Sequence, residues 1–156
     1  MIRTILRGGV AGAAGTTVLN AVSYADMAWR GRSASGVPSQ VVDKLARDVR
    51  HPVPGSGETR DNRLSALGAL AGIGVGCVVG VCVCLLYDAG ARMPWWWGSV
   101  ATGALAMAAA DVPMARLGLS DPTTWSGADW VSDIVPHLLY GAATYGIVAA
   151  TAERRS

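Results

Sequence analysis

Four apolar blocks, each close to the length of a membrane-spanning helix, constrain what this chain can fold into. They run from Ile5 to Trp29, from Leu64 to Tyr87, from Trp95 to Leu119 and from Val131 to Ala152. About 20 residues of α-helix cross the roughly 30 Å hydrocarbon core of a bilayer. The pattern therefore predicts an all-α integral membrane bundle of four transmembrane helices, with residues 1–156 forming a single membrane domain.

The composition supports this prediction. Of the 156 residues, 51% are hydrophobic and only 15% are charged, which is typical of a membrane protein. The net charge of +2 gives no indication of a nucleic-acid partner. The first block is longer than the apolar part of a secretory signal and contains Asn20 and Asp26, so we expect it to be a retained helix. We expect the chain to reside in a bacterial plasma membrane, with the lipid bilayer as its surroundings.

Glycines recur every four residues in two blocks, a spacing that favours close packing of helices. Lipid gives helices little hydrophobic drive to associate, so small residues that let two backbones approach stabilise the contact. The groove that such a row forms could face another helix of the same chain or a second copy of the chain. The glycines concerned are Gly68, Gly72, Gly76 and Gly80 in the second block, and Gly8 and Gly12 in the first.

A polar stripe runs along the fourth block. Asp133 and His137 are four residues apart and Tyr140 follows three later, so all three share one helical face. Ionisable groups at membrane depth are costly and mark candidate sites, and we predict that Asp133 and His137 form a buried hydrogen-bonded pair. Asp129 continues the stripe, but its spacing from Ser126 also suits a helix-capping box.

Three further polar residues in the apolar blocks are candidates for the same site. Asp111 precedes Pro113, which predicts a kink or a helix end beside the carboxylate. Asp26 is either an interfacial carboxylate paired with Arg30 or a buried pathway residue. Asn20 supplies hydrogen-bonding groups within the first block.

The polar segment from residue 31 to residue 63 contains a short amphipathic helix. Val41, Val42 and Leu45 share one face, while Asp43 and Arg47 are spaced to pair on the other. We expect this helix to lie in the headgroup plane or to cap the bundle, with regulatory docking as the alternative. The tryptophans expected to anchor helix ends at the membrane interfaces are Trp29, Trp95, Trp96 and Trp97.

No motif in the sequence indicates an enzyme, a metal site or a cofactor. The three cysteines, Cys77, Cys82 and Cys84, lie in one apolar block without metal-ligand spacing, and we interpret them as small packing residues. The Asp133 and His137 pair has no third ligand, and no nucleophile with a base accompanies it.

Three segments of the sequence carry a resemblance to known proteins: A-G-A-A-G-T-T-V-L-N, A-A-D-V-P-M-A-R-L-G-L-S-D-P-T-T-W and D-W-V-S-D-I-V-P-H-L-L-Y-G. They resemble a family of small, uncharacterised multi-pass membrane proteins of actinomycete type. The glycine-rich helices and the late H-L-x-Y-G are more faintly similar to the YagU-like inner-membrane proteins. Neither group has an established activity, so the resemblance implies a membrane bundle and no catalytic role.

Two functions are compatible with these features. The glycine rows favour a structural or interaction protein that self-associates or joins a larger membrane complex. The polar stripe favours an oligomeric permeation or proton-coupled transport protein that uses the Asp133 and His137 face. The small size and the lack of an internal repeat weigh against the second function unless the chain forms oligomers.

Overall fold

The computed structural model describes residues 1–153, and within that range it contains helices and no strands. The all-α prediction is therefore confirmed. Two helices, α3 and α5, are long and apolar enough to cross a membrane. The helices are α1 (Ile2–Arg30), α2 (Val37–Asp48), α3 (Gly57–Asp88), α4 (Trp95–Arg116) and α5 (Gly127–Glu153), with a short 3-10 turn at Pro122–Thr124.

Helix bounds differ from the apolar blocks where polar residues extend a helix. α3 begins at Gly57, two turns before the apolar block, because its polar start is tied to the preceding segment. There Arg60 binds Asp43 of α2, and the Arg63 guanidinium donates to the Pro54 carbonyl at 2.9 Å. α4 stops at Arg116, shortly after Pro113.

The four long helices form an antiparallel bundle in which α1 packs against both α3 and α5, and α4 packs mainly on α5. The largest contacts therefore run in the order α3, α1, α5, α4, and smaller contacts of α3 with α4 and α5 close the bundle. We call the end where α1 stops at Arg30 and α5 starts at Gly127 the loop end, because α2 and the long polar segment also lie there.

Glycines bring α1 and α3 into backbone contact. A Cβ atom on Gly80 would lie 2.6 Å from the amide nitrogen of Gly12, and one on Gly8 would lie 2.5 Å from the Cα atom of Val81. Gly76 of the same row faces Thr16 of α1, whereas the space beside Gly72 is open. Gly68 lies against the backbone of α2, where a Cβ atom would be 3.0 Å from Ser39 N. The row therefore has three different surroundings within one chain.

A second set of glycines, not singled out in the sequence, joins α4 to α5. A Cβ atom on Gly103 would lie 2.6 Å from the carbonyl oxygen of His137, and one on Gly141 would lie 2.5 Å from the amide nitrogen of Gly103. Gly98 lies against the ring of Tyr145, whose hydroxyl donates to the Met93 carbonyl and accepts from the Met93 amide, both at 2.8 Å. These contacts fix the middle of α5, from His137 to Tyr145, against α4.

Most of the buried side chains are small, are valines or carry hydroxyl groups, whereas many of the large apolar ones are on the outside. Tyr140, Tyr145 and Thr144 are at most 2% exposed. The Tyr140 hydroxyl donates to the Gly76 carbonyl of α3 at 2.6 Å, and Thr144 donates to Ala11 of α1 at 3.4 Å. The exposed apolar residues include Leu70, Ile73, Val78, Leu86, Val100, Leu105, Leu138 and Leu139.

The attachment of α2 depends on pH through Asp43. Hydrogen bonds from Arg47 and then Arg60 hold the pKa of the Asp43 carboxyl below its usual range. Because the ionised form is the one bound, its contribution is complete above the ordinary pKa of about 4 and is lost as the pH falls further. Hydrogen exchange should therefore show α2 amides losing protection below about pH 4. We expect Asp43→Asn to show the reduced protection already at neutral pH, and the exposed Asp48→Asn to leave it unchanged. Equal protection in Asp43→Asn and the parent chain would contradict this role.

Candidate functional site

The candidate site lies in the contact between α4 and α5, a few turns inside the loop end. Gly103 has no side chain, so α4 passes close to the α5 backbone at His137. Asp133 and His137 of α5 and Asp111 of α4 come together here. Both helices contain a proline close to the site, Pro113 and Pro136.

The imidazole of His137 lies over the preceding turn of its own helix. Its Nδ1 atom is 2.8 Å from the backbone carbonyl oxygen of Asp133 and 3.3 Å from the carboxylate Oδ1 atom of the same residue. A carbonyl oxygen only accepts hydrogen bonds, so Nδ1 carries the proton. The two side chains are 12% and 23% exposed, respectively. The four-residue spacing thus brings the two side chains close together, and the hydrogen bond of the imidazole is to the backbone carbonyl of Asp133.

The other carboxylate oxygen of Asp133, Oδ2, is buried and receives no hydrogen bond from any residue that the structure describes. The Asp111 carboxyl interacts with that of Asp133, and it also lies within electrostatic range of His137. Pro136 has no amide hydrogen, so the carbonyl of Ser132 lacks its usual helical donor. Hydrogen-bond acceptors therefore outnumber donors at this point of the bundle.

An ion cluster on α1 borders the site toward the loop end. Asp26 pairs with Arg30 at 2.8 Å and with Arg32 at 2.6 Å. Ser132 of α5 contacts Arg30 and donates to Asp26 at 3.3 Å. Asp26 is thus held by arginines, as in the interfacial alternative, and the cluster ties α1 to the residue that precedes Asp133.

The remaining candidate residues lie apart from this group. Tyr140, on the same stripe in sequence, is directed to α3 through its bond to Gly76. Asp129 forms the capping box, accepting from the Ser126 amide at 2.9 Å and donating its own amide to Ser126 Oγ at 3.2 Å. Asn20 is half-buried on α1. The four tryptophans, Trp29, Trp95, Trp96 and Trp97, are all more than half exposed.

Sequence reasoning missed a polar contact at the opposite end of the bundle. Arg7 of α1 binds Asp88 of α3 at 2.5 Å, and its Nε atom lies 3.0 Å from the fully buried thiol of Cys84. Thr4 also donates to Asp88 at 2.9 Å. The partners are far apart in sequence, so no local spacing indicates them.

Among residues 1–153, no group of three or more His, Cys, Asp or Glu side chains is placed to hold a metal ion. No protein family, curated protein or solved structure matches the chain.

Proposed function

We propose that the chain is a multi-pass protein of the bacterial plasma membrane, with α1, α3, α4 and α5 as transmembrane helices and α2 at the interface. The observation that carries this proposal is the inverted distribution of side chains. Glycines, alanines, threonines, tyrosines and a few valines fill the interior, while many of the large aliphatic residues lie on the outside. In water such a surface would be unfavourable, since apolar area costs about 25 cal/mol per Å² when exposed. In hydrocarbon the same surface is favourable.

The position of α1 supports counting it among the spans. It has 29 residues and is therefore roughly 43 Å long. It packs along both α3 and α5, the two helices with the clearest membrane character. A bilayer that contains α3 and α5 therefore contains α1 between them. Its charged residues Asp26 and Arg30 lie in its last turns, at the depth where charges are tolerated.

We assign to this bundle a structural or interaction role, as a homo-oligomer or as a subunit of a larger membrane complex. Many of the glycines inside the helices contact a neighbouring helix, but Gly9 of α1 and Gly72 and Gly74 of α3 have open space beside them. An apolar groove of about 570 Å³ lies between α1 and α3 beside Gly9. These outward small residues are the surface that remains for another membrane helix.

Reporter fusions test the membrane proposal. Fusions placed after α1, α3, α4 and α5 should report alternating sides of the membrane, because four consecutive spans reverse the chain direction each time. The fusion in the segment between α1 and α3 should share its side with the fusion after Gly118. Two consecutive fusions on one side would exclude the four-span topology.

The α4–α5 cluster favours a second candidate function, proton-coupled transport or permeation. Asp111, Asp133 and His137 place three ionisable groups from two neighbouring proposed membrane spans close together. Such groups in membrane proteins mark ion and proton pathways. Because the proposal concerns proton movement, its test is proton flux across vesicles that contain the purified protein, compared with vesicles that contain the Asp133→Asn variant.

A further inference from the structure

The outward face of α1, on the side turned away from α3 and α5, carries a regular pattern. We call this face the α1 seam; its residues are Leu6, Val10, Ala13, Thr17, Asn20 and Tyr24. They are alternately four and three residues apart, which is the heptad spacing of a helix that packs side by side with another helix. All six are at least partly exposed, whereas Gly12, which contacts α3, and Ala11, which contacts α5, lie on other sides of the helix. Leu6 and Tyr24 are each 62% exposed, and Val10 is 67% exposed.

Asn20 places an unpaired carboxamide on the α1 seam. This side chain has no hydrogen bond to any residue that the structure describes. It lies six residues before Asp26 and thirteen residues after Arg7, so it is roughly 9 Å and 20 Å from these charged residues along the helix. The hydroxyl of Thr17, by contrast, donates to the Ala13 carbonyl of its own helix at 3.0 Å. An unpaired amide is unfavourable inside a bilayer, so Asn20 requires a partner from outside the chain.

From this pattern we infer that a second copy of the chain docks on the α1 seam, with the two α1 helices parallel and the two Asn20 carboxamides hydrogen-bonded to each other. A carboxamide both donates and accepts, so an identical group at the same level is complementary to it. Copies inserted in one membrane in the same orientation are related by a two-fold axis that places equal residues opposite each other. A single asparagine in such a seam sets its register. This arrangement rests on the proposed membrane location and specifies the partner in the interaction role proposed above.

The surroundings of the seam fit a second copy of the same helix. The apolar groove of about 570 Å³ between α1 and α3 runs beside Leu6 and Val10, so it continues the seam toward the start of α1. Between Leu6 and Tyr24 the one ionisable residue of α1 is Arg7, which is turned to Asp88 of α3. Two copies therefore approach along the seam without bringing like charges together inside the span. Aliphatic side chains meet aliphatic side chains, and the amide meets an amide.

Disulfide cross-linking in membranes tests where the copies meet. The test uses a chain in which Cys77, Cys82 and Cys84 are replaced by alanine. In this chain Ala13→Cys should form a product of twice the chain mass on oxidation, because position 13 faces its equivalent across a parallel seam. Leu105→Cys is the matched control, since it is 41% exposed on α4, away from the seam, and should remain monomeric.

The dissociation constant of the dimer in mild detergent measures the contribution of the amide. Asn20→Leu should raise this constant about 3- to 30-fold, the range that interhelical hydrogen bonds cover. Asn20→Gln keeps a carboxamide and should retain most of the affinity. Ser23→Ala removes a polar group of α1 that lies off the seam and should leave the constant unchanged. Circular dichroism of each variant checks that the helices are intact.

Four results would overturn the inferred dimer: a parent chain that is monomeric in detergent and in vesicles, no cross-link at position 13, a cross-linked product whose mass shows a different protein, or an unchanged dissociation constant in Asn20→Leu. Each of them leaves the four-span proposal intact, because reporter fusions measure the membrane topology independently. Conversely, fusions that contradict four spans would remove the membrane setting of the seam even if the chain were dimeric. The two failures are therefore distinguishable.

Discussion

Gly80→Ala lowers the free energy of unfolding of the detergent-solubilised protein by about 2–3 kcal/mol, as expected for overpacking a tight contact. The added methyl group would lie 2.6 Å from the amide nitrogen of Gly12 and 2.7 Å from its Cα atom. Backbone atoms cannot rotate away as the end of a side chain can, so α1 and α3 must move apart. Thermal or denaturant unfolding, followed by circular dichroism, measures the effect.

Gly72→Ala is the matched control, since it lies in the same helix and the same four-residue row but has open space beside it. Alanine has a higher helix propensity than glycine by about 1 kcal/mol, so this variant should be as stable as the parent or slightly more stable. We therefore expect the free energy of unfolding to fall in Gly80→Ala and to stay the same or rise slightly in Gly72→Ala. Equal effects of the two substitutions would show that the α1–α3 backbone contact is absent.

Replacement of one member of the Asp133 and His137 pair should cost more than replacement of both. Removing a single partner leaves a polar group stranded in a half-buried place, at a cost of about 1–3 kcal/mol. His137→Leu should be the more damaging single change, because it also leaves the Asp111 and Asp133 carboxyl groups together without a cation. Replacing both residues with leucine leaves no polar group of the pair behind, so the double variant should be more stable than the less stable single variant.

A double-mutant cycle of Asp133→Leu and His137→Leu measures this coupling directly. We expect an interaction energy of at least about 0.5 kcal/mol, the lower range for residues in contact. Asp129→Ala, a capping residue on the same sequence stripe, provides the comparison and should combine additively with His137→Leu. Strictly additive losses for Asp133 and His137 would mean that the 3.3 Å approach of their side chains does not stabilise the protein.

The sequence predicted those parts of the structure that depend on local spacing. The all-helical fold follows from the long apolar blocks, and the proximity of Asp133 and His137 follows from a step of four residues on one helix. The Ser126 and Asp129 capping box was recognisable for the same reason. In these two pairs both partners lie about one helical turn apart, so no tertiary information was needed to predict their proximity.

What the sequence could not predict depends on how the helices face one another. The Gly68 to Gly80 row looks continuous in sequence, but helix rotation and the docking of α2 divide it among three surroundings. Tyr140 shares the stripe of His137, yet its hydroxyl reaches α3, because three-residue and four-residue steps drift around a helix and α5 has neighbours on several sides. The partnership of Asp111 with Asp133 required the relative register of α4 and α5, which Gly103 and Gly141 determine.

Labelling of Val78→Cys in intact membranes tests most directly whether the outside of the bundle faces lipid. Val78 lies near the middle of the apolar part of α3 and is 62% exposed in the isolated chain. The test uses a chain in which Cys77, Cys82 and Cys84 are replaced by alanine, with Ser33→Cys in the exposed segment as the accessible control. We predict that a membrane-impermeant maleimide labels position 33 in opened vesicles and labels position 78 only after denaturation. Labelling of position 78 as fast as position 33 would contradict the membrane assignment.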